Sequence, residues 1–123
     1  MKKPHMFLRF AAIPLAIVVA SCALAAENNR SAAKQQVDFG IKVAQSGLWK
    51  EAAYRWQKAV DLDPTYSAAW NNLAIAHEQR GNFEQAEKAY QRAVALDPKN
   101  AMIRQNYDLF KEINDRAKRR TDR

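Results

Sequence analysis

The chain has 123 residues, 48% of them hydrophobic, with three glycines, four prolines and one cysteine; this composition favours helices in one domain or a short array and excludes a disulfide within the chain. The formal net charge of +7 comes from the two ends, since residues 27–115 carry twelve basic and twelve acidic residues. Because a nucleic-acid-binding fold normally carries its excess positive charge on the folded surface, we expect no nucleic-acid partner.

Residues 1–26 have the three parts of a secretory signal peptide. Three basic residues lie within the first nine positions, residues 10–20 form an uncharged apolar run, and small residues follow. We therefore predict a signal peptide over 1–26, a linker over 27–32, and an exported protein in the periplasm or attached to a membrane on its periplasmic side. The alternative is an uncleaved anchor, because the 17 uncharged residues from 10 to 26 reach the lower limit of a membrane span.

Two cleavage motifs overlap at the end of this segment, and they imply different fates for Cys22. Residues 19–22, with the sequence Val-Ala-Ser-Cys, resemble the bacterial lipobox, in which the cysteine is lipidated and becomes the new N-terminus. Residues 23–25, Ala-Leu-Ala, match the site of ordinary signal peptidase, which would cut before Ala26 and remove Cys22. The sequence leaves both fates open, so lipidation of Cys22 is one of two predictions.

The middle of the chain contains an internal repeat with a period of 34 residues. A shift of 34 positions aligns Gly47 with Gly81, and residues 62–64 with residues 96–98, both of which read Leu-Asp-Pro. Glycine favours the left-handed end of a helix, and the Asp-Pro pair ends one helix before the next begins. The spacing therefore predicts successive helix pairs of similar structure.

The residues at these positions are similar to those of the tetratricopeptide-repeat family, in a small exported bacterial form. The second copy carries the family pattern most fully, at Trp70, Leu73, Gly81, Phe83, Ala86, Tyr90, Ala93 and Pro98. The first copy departs from the pattern at Gln36, Phe39 and Val43, where Trp, Leu and Tyr are usual. The resemblance implies an all-α solenoid of antiparallel helix pairs, with two repeats and a C-terminal capping helix.

We predict repeat one over 33–66, repeat two over 67–100, the capping helix over 101–118 and a basic tail over 119–123. Helices are expected at 33–46, 50–62, 67–80, 84–96 and 101–118. An apolar stripe on the capping helix can cover repeat two, whereas charged residues occupy the positions that would pack against a further helix. These charged residues are Arg104, Asp108 and Lys111.

The basic residues from Arg116 to Arg123 have two interpretations. They form either a solvated helix end, favoured by the helix dipole, or a contact with anionic lipid. Two repeats also bury little apolar surface, because each repeat relies on its neighbours for burial. We therefore expect the module to gain stability from a bound protein or peptide, or from a second copy in a homo-oligomer.

In the tetratricopeptide-repeat family, the first helices of successive pairs line a concave groove that binds a partner's peptide or helix. Carried over by position, the groove residues of this chain are Val37, Asp38, Ile41, Gln45, Asn71, Asn72, Ile75, Gln79, Gln105, Asn106 and Leu109. Asn72 falls on the family's frequent peptide-binding asparagine, whereas the basic residues of its carboxylate clamp are missing. Ile41, Ile75 and Leu109 recur every 34 residues, so they either anchor an apolar segment of the partner or pack between adjacent helices.

No group of residues has the spacing of a catalytic or metal site. His77 stands where the family has a packing aromatic, so we expect it in or beside the core, and we expect no cofactor. The prediction is a protein–protein interaction scaffold of the bacterial cell envelope and not an enzyme. The alternative is a membrane-anchored structural or oligomeric subunit that keeps its N-terminal segment as an uncleaved anchor.

Overall fold

The described part of the chain folds into five α-helices joined by short turns. The structure is a computed structural model that describes Met1, the backbone of residues 15–17, and residues 18–122 in full. The helices are α1 (Leu15–Gln45), α2 (Trp49–Leu62), α3 (Ser67–Gln79), α4 (Phe83–Leu96) and α5 (Ala101–Thr121). The described residues contain no β-strand, and the predicted all-α class is confirmed.

Glycine ends the first helix of each pair, as the repeat spacing predicts. Gly47 and Gly81 have φ angles of 75° and 76°, a region that glycine enters without the steric cost of a Cβ atom. Around Gly47, its own N–H donates to Ala44 and the next N–H, of Leu48, donates to Val43. This pair of hydrogen bonds satisfies carbonyls that the helix end would leave free. The helices α2 to α5 accordingly lie within three residues of their predicted bounds.

The first helix is much longer than predicted. It begins at Leu15 and not at residue 33, so residues 27–32, predicted as a linker, are helical. The physical reason is that residues 15–39 are rich in alanine and contain neither glycine nor proline, so nothing interrupts the helix. The charged start of the predicted signal peptide lies outside the described residues. No helix among the described residues has an apolar stretch long enough to cross a membrane.

Arg30, in the middle of α1, contacts the turn between α2 and α3. Its guanidinium forms an ion pair with Asp63, donates to Thr65 Oγ1 at 3.1 Å, and lies 4.6 Å from the centre of the Tyr66 ring. Burial opposes the ionised form of Asp63, but hydrogen bonds from Thr65 and Arg30 hold its pKa below the usual value. These contacts extend the packed part of α1 beyond the predicted start of repeat one.

The helices form two rows. Trp56 of α2 donates a hydrogen bond to Val37 of α1, and Arg30 of α1 forms an ion pair with Asp63 at the end of α2, so these two helices are antiparallel. The inner row consists of α1, α3 and α5, which run in one direction. The outer row consists of α2 and α4. The first core cluster, between α1, α2 and α3, comprises Ala33, Val37, Ala52, Ala53, Trp56, Ala59, Val60, Ala69, Leu73 and Ala76. The second core cluster, between α3, α4 and α5, comprises Ala74, Ala86, Ala89, Tyr90 and Phe110. The many alanines allow the helices to approach closely, and the large aromatic side chains fill the space that remains between them.

The capping helix α5 covers repeat two. Ile103 and Phe110 are buried, and the charged residues predicted to face away from the core are exposed. The helix continues to Thr121, so Arg119 and Arg120 of the predicted tail are helical, because lysine and arginine favour helices and are stabilised near a helix C-terminus. The predicted solenoid of two helix pairs and a capping helix is confirmed.

Candidate functional site

An open cavity of about 240 Å³ lies between α1, α2 and α3. We call the face formed by α1, α3 and α5, which is the expected binding face of the repeat family, the concave side. Its lining residues are Ile41, Ala44, Gln45, Trp49, Trp56, Asn72 and Ile75. Four of the predicted groove residues therefore meet at one place. Sequence comparison missed Trp49 and Trp56 as lining residues, because their positions in the family pattern are those of packing aromatics.

The three apolar residues of the predicted stripe are exposed to different degrees. Ile41 is 40% exposed and Leu109 is 55% exposed. Ile75, between them, is half-buried and packs against the second core cluster. The two outer residues are thus open to a partner, whereas the middle one is shared between the core and the cavity.

Two predicted groove residues are buried and cannot face a partner. Val37 is 4% exposed and belongs to the first core cluster, because the Trp56 indole covers it from α2 and donates to its carbonyl oxygen at 3.2 Å. Asn71 is 3% exposed. The prediction of Asn71 as a groove residue was wrong, because α5 covers this side chain as α2 covers Val37.

Asn71 instead joins α3 to α5 through a pair of amides. The Nδ2 of Asn106 donates to Oδ1 of Asn71 at 3.1 Å, and Nδ2 of Asn71 reaches Oδ1 of Asn72 at 3.5 Å, a long and weak contact. A buried amide without such a partner would cost about 1–3 kcal/mol. The pair therefore sets the position of α5 against α3.

The remaining predicted groove residues are at least partly exposed. Asp38, Gln45, Gln79 and Gln105 are exposed, and Asn72 is half-buried at the cavity. The described residues that line the cavity offer apolar surface and side-chain amides, and none of them carries a charge. This arrangement can hold an apolar side chain while amides bond to a neighbouring peptide backbone.

His77 lies at the edge of the core, as expected for a residue in the place of a packing aromatic. It is half-buried, and its Nδ1 has no hydrogen-bond partner among the described residues. Burial, and then the nearby charge of Arg80, lower its pKa below 6.5. Across the described part of the chain, no three His, Cys, Asp or Glu side chains are grouped as metal ligands.

We expect the free energy of unfolding to decrease as the pH falls from about 7.5 to about 5.5. The folded chain disfavours protonation of His77, so the unfolded chain takes up more protons; the stability is present above the unfolded pKa and is lost below it. Urea unfolding at the two pH values measures the change. His77→Tyr, which restores the family's usual residue, should reduce the pH dependence, and an undiminished dependence would contradict the assignment to His77.

Cys22 is exposed on the N-terminal half of α1. Its exposure leaves the thiol accessible, and its fate stays a prediction from the overlapping motifs.

Comparisons with known proteins bear on the repeats. Residues 67–100 match a family model described as tetratricopeptide repeat, and residues 43–81 match a second model described as TPR repeat. The solved TPR domain of Arabidopsis OM64 has a similar fold, with a TM-score of 0.66 and 23% sequence identity over 73% of this chain and 74% of that chain. No curated protein matches the sequence. The two matches overlap and together cover residues 43–100, so this part of the chain consists of tetratricopeptide repeats.

Proposed function

We propose that the chain is an exported interaction scaffold of the bacterial cell envelope, which binds a peptide or helix of a partner protein on its concave side. Tetratricopeptide repeats support the general function of protein–protein interaction. The observation that carries the proposed site is the cavity of about 240 Å³ between α1, α2 and α3, where Ile41 and Ile75 lie beside the amides of Gln45 and Asn72.

The exposed apolar side chains supply the binding energy in this proposal. Ile41 and Leu109 lie on the concave side with 40% and 55% of their surface in contact with water. A partner that covers them removes apolar surface from water, which contributes about 25 cal/mol per Å². The amides add direction, because an unpaired backbone group of the partner would otherwise lose its hydrogen bond to water.

Site-specific photo-cross-linking in the producing cell tests the site. A photoreactive residue at Gln45, which lines the cavity, should yield a discrete adduct with a partner protein. The same residue at Tyr54, which is 50% exposed on the outer helix α2, serves as the matched control and should yield no such adduct. Equal adducts from both positions would reject the concave side as the binding site.

Replacing Cys22 by Ala should release the protein from membranes if the cysteine is lipidated. The lipobox-like Val-Ala-Ser directly precedes Cys22, and a diacylated N-terminus provides the two acyl chains that stable anchoring requires. Fractionation of cells that produce the Cys22→Ala variant measures the release. Retention of that variant in the membrane fraction, with a mature N-terminus at Ala26 in the unaltered protein, would reject lipidation.

The second candidate is a membrane-anchored structural subunit, and the continuity of α1 favours it. One helix runs from Leu15 into repeat one without a break, so a retained N-terminal segment would hold the repeats rigidly. The intact mass of the purified mature protein separates the fates, since cleavage removes the segment, lipidation adds acyl mass at Cys22, and retention leaves the full chain.

A further inference from the structure

One face of the capping helix α5 is uncovered along its whole length. Met102, Leu109 and Ile113 are 60%, 55% and 48% exposed, and their spacing places them on the same side of the helix. Arg116 and Arg120 continue this line toward the C-terminus and are exposed. The exposed face of α5 is therefore apolar from Met102 to Ile113 and basic from Arg116 to Arg120.

The basic end of α5 lies at the edge of the fold opposite to the N-terminal half of α1. Asn71 and Asn106, 35 residues apart, meet across α3 and α5, and Ile41 and Ile75, 34 residues apart, line one cavity between α1 and α3. The three helices therefore share a direction. Since α1 extends past the body at its N-terminal end and α5 at its C-terminal end, a membrane that held the N-terminus would lie on the side away from Arg116 and Arg120.

The charges of α5 also fit a protein partner better than a lipid surface. Asp108 and Glu112 form ion pairs with Lys111 and Arg116 of the same helix, and Asp115 is exposed beside them. These carboxylates offset part of the basic charge that an anionic lipid surface would attract. A helix that lies in a membrane interface has apolar residues on one face and basic residues on the opposite one. Here the exposed apolar and basic residues follow one another on a single face.

Resting on the proposed function, we infer that α5 binds an amphipathic helix of the partner that has acidic residues at one end and apolar anchors further along. Leu109 and Ile113 contact the anchors, and Arg116 and Arg120 contact the acidic end. At 1.5 Å per helical residue, Arg116 and Arg120 lie about 10 Å and about 16 Å along the axis from Leu109. The acidic residues of the partner are therefore seven to eleven positions from an apolar anchor.

The helix dipole sets the orientation of this partner helix. Acidic residues stabilise the N-terminal turn of a helix, whereas basic residues stabilise the C-terminal turn, as in α5. The acidic end is therefore the N-terminal end of the partner segment, and it runs antiparallel to α5.

Binding of synthetic peptides to the full chain, measured by fluorescence anisotropy, tests the inference. The probe is an 18-residue helical peptide with glutamates in its first turn and leucines seven to eleven positions later. We expect the Arg116→Gln, Arg120→Gln double variant to bind it roughly fivefold more weakly, the combined effect of two exposed ion pairs. The matched control is Lys50→Gln, Arg92→Gln, which removes two exposed charges from the outer helices and should leave affinity unchanged.

Three further probes separate the outcomes. In the first probe, glutamine replaces glutamate in the peptide. This neutral peptide should bind the unaltered chain as weakly as the acidic peptide binds the double variant. If both peptides bind the unaltered chain equally well, the inference is overturned, but the proposed binding site at the cavity is not. A peptide of reversed order should bind more weakly, and equal binding would overturn the antiparallel arrangement. Vesicles of phosphatidylcholine with one third phosphatidylglycerol should not bind through Arg116 and Arg120; binding lost in the double variant would assign these residues to lipid. Binding of none of the peptides would overturn the inference, whereas the proposed function fails only if the cross-link at Gln45 is absent or is matched by that at Tyr54.

Discussion

Replacing Trp56 by Ala is expected to lower the free energy of unfolding by about 3–5 kcal/mol. Trp56 is 3% exposed, and its indole fills the first core cluster between α1 and α2. A Cβ atom at Gly40 would lie 2.8 Å from Cδ1 of this ring, so the indole rests directly on the backbone of α1. Alanine would leave a cavity that the two helices cannot close without a shift of both, and it would remove the hydrogen bond from the indole to the Val37 carbonyl.

Replacing Tyr90 by Ala should have an effect of the same size in the second core cluster. Tyr90 is 1% exposed, and its ring lies 5.7 Å from that of Tyr107 and 5.3 Å from that of Phe110. Its hydroxyl donates to Oε2 of Glu78 at 2.9 Å. The substitution therefore removes ring packing between α4 and α5 as well as a bond between α4 and α3.

Thermal melting and urea unfolding of the full chain measure both effects. Tyr90→Phe keeps the ring and should cost less, about 1.5–3 kcal/mol, the contribution of one hydrogen bond to a carboxylate. Tyr54→Ala, at a position that is 50% exposed, should change stability by about 0.5 kcal/mol or less. Unchanged midpoints for Trp56→Ala and Tyr90→Ala would mean that the helices do not pair as described.

The helix pairs could be predicted from the sequence because their boundaries depend on local chemistry. Gly47 and Gly81 take the left-handed conformation that ends a helix, and this requirement is visible in the sequence as glycine at a fixed spacing. Lys42 lies one repeat period before the buried Ala76 but is exposed, because no helix among the described residues packs against that side of α1. Because such features occur twice at the same spacing, the predicted helix boundaries had more support than one copy would give.

The depth of each concave-side residue could not be predicted, because it depends on how neighbouring helices cross. Val37 and Ile41 are one helical turn apart, yet Trp56 covers Val37 and leaves Ile41 40% exposed. Asn71 and Asn106 both carry amides suited to a partner, but the approach of α5 turns them toward each other. A position in a repeat pattern indicates the side of a helix and does not indicate what lies above it.

The extent of α1 was missed for a different reason. Residues 1–26 were predicted as a signal peptide and residues 27–32 as a linker, and a targeting pattern indicates how a segment is processed rather than its conformation. The contacts of Arg30 with Asp63, Thr65 and Tyr66 join positions 33 to 36 residues apart. One exposed arginine gives no local indication of partners at that separation.

Replacing Ile41 by Asp is expected to abolish the cross-link at Gln45 and to leave the melting temperature nearly unchanged. The side chain is 40% exposed, so a carboxylate there stays in water while the chain is free. Contact with an apolar segment of a partner would bury that charge without a counter-charge, which is costly. We expect a loss of binding of about 2 kcal/mol or more, which is about thirtyfold in affinity.

Two further substitutions are compared with Ile41→Asp. Ile75→Asp should also abolish the cross-link but should lower the melting temperature, because Ile75 packs against the second core cluster; its loss of binding alone does not separate the groove from the fold. Leu48→Asp introduces the same charge at a residue that is 55% exposed and outside the cavity, so its cross-link should persist. If the cross-link persists in Ile41→Asp, the partner binds elsewhere. If it is lost in both Ile41→Asp and Leu48→Asp, the loss is due to the added charge and not to its position. Binding is assigned to the concave side only if the cross-link is lost in Ile41→Asp and kept in Leu48→Asp.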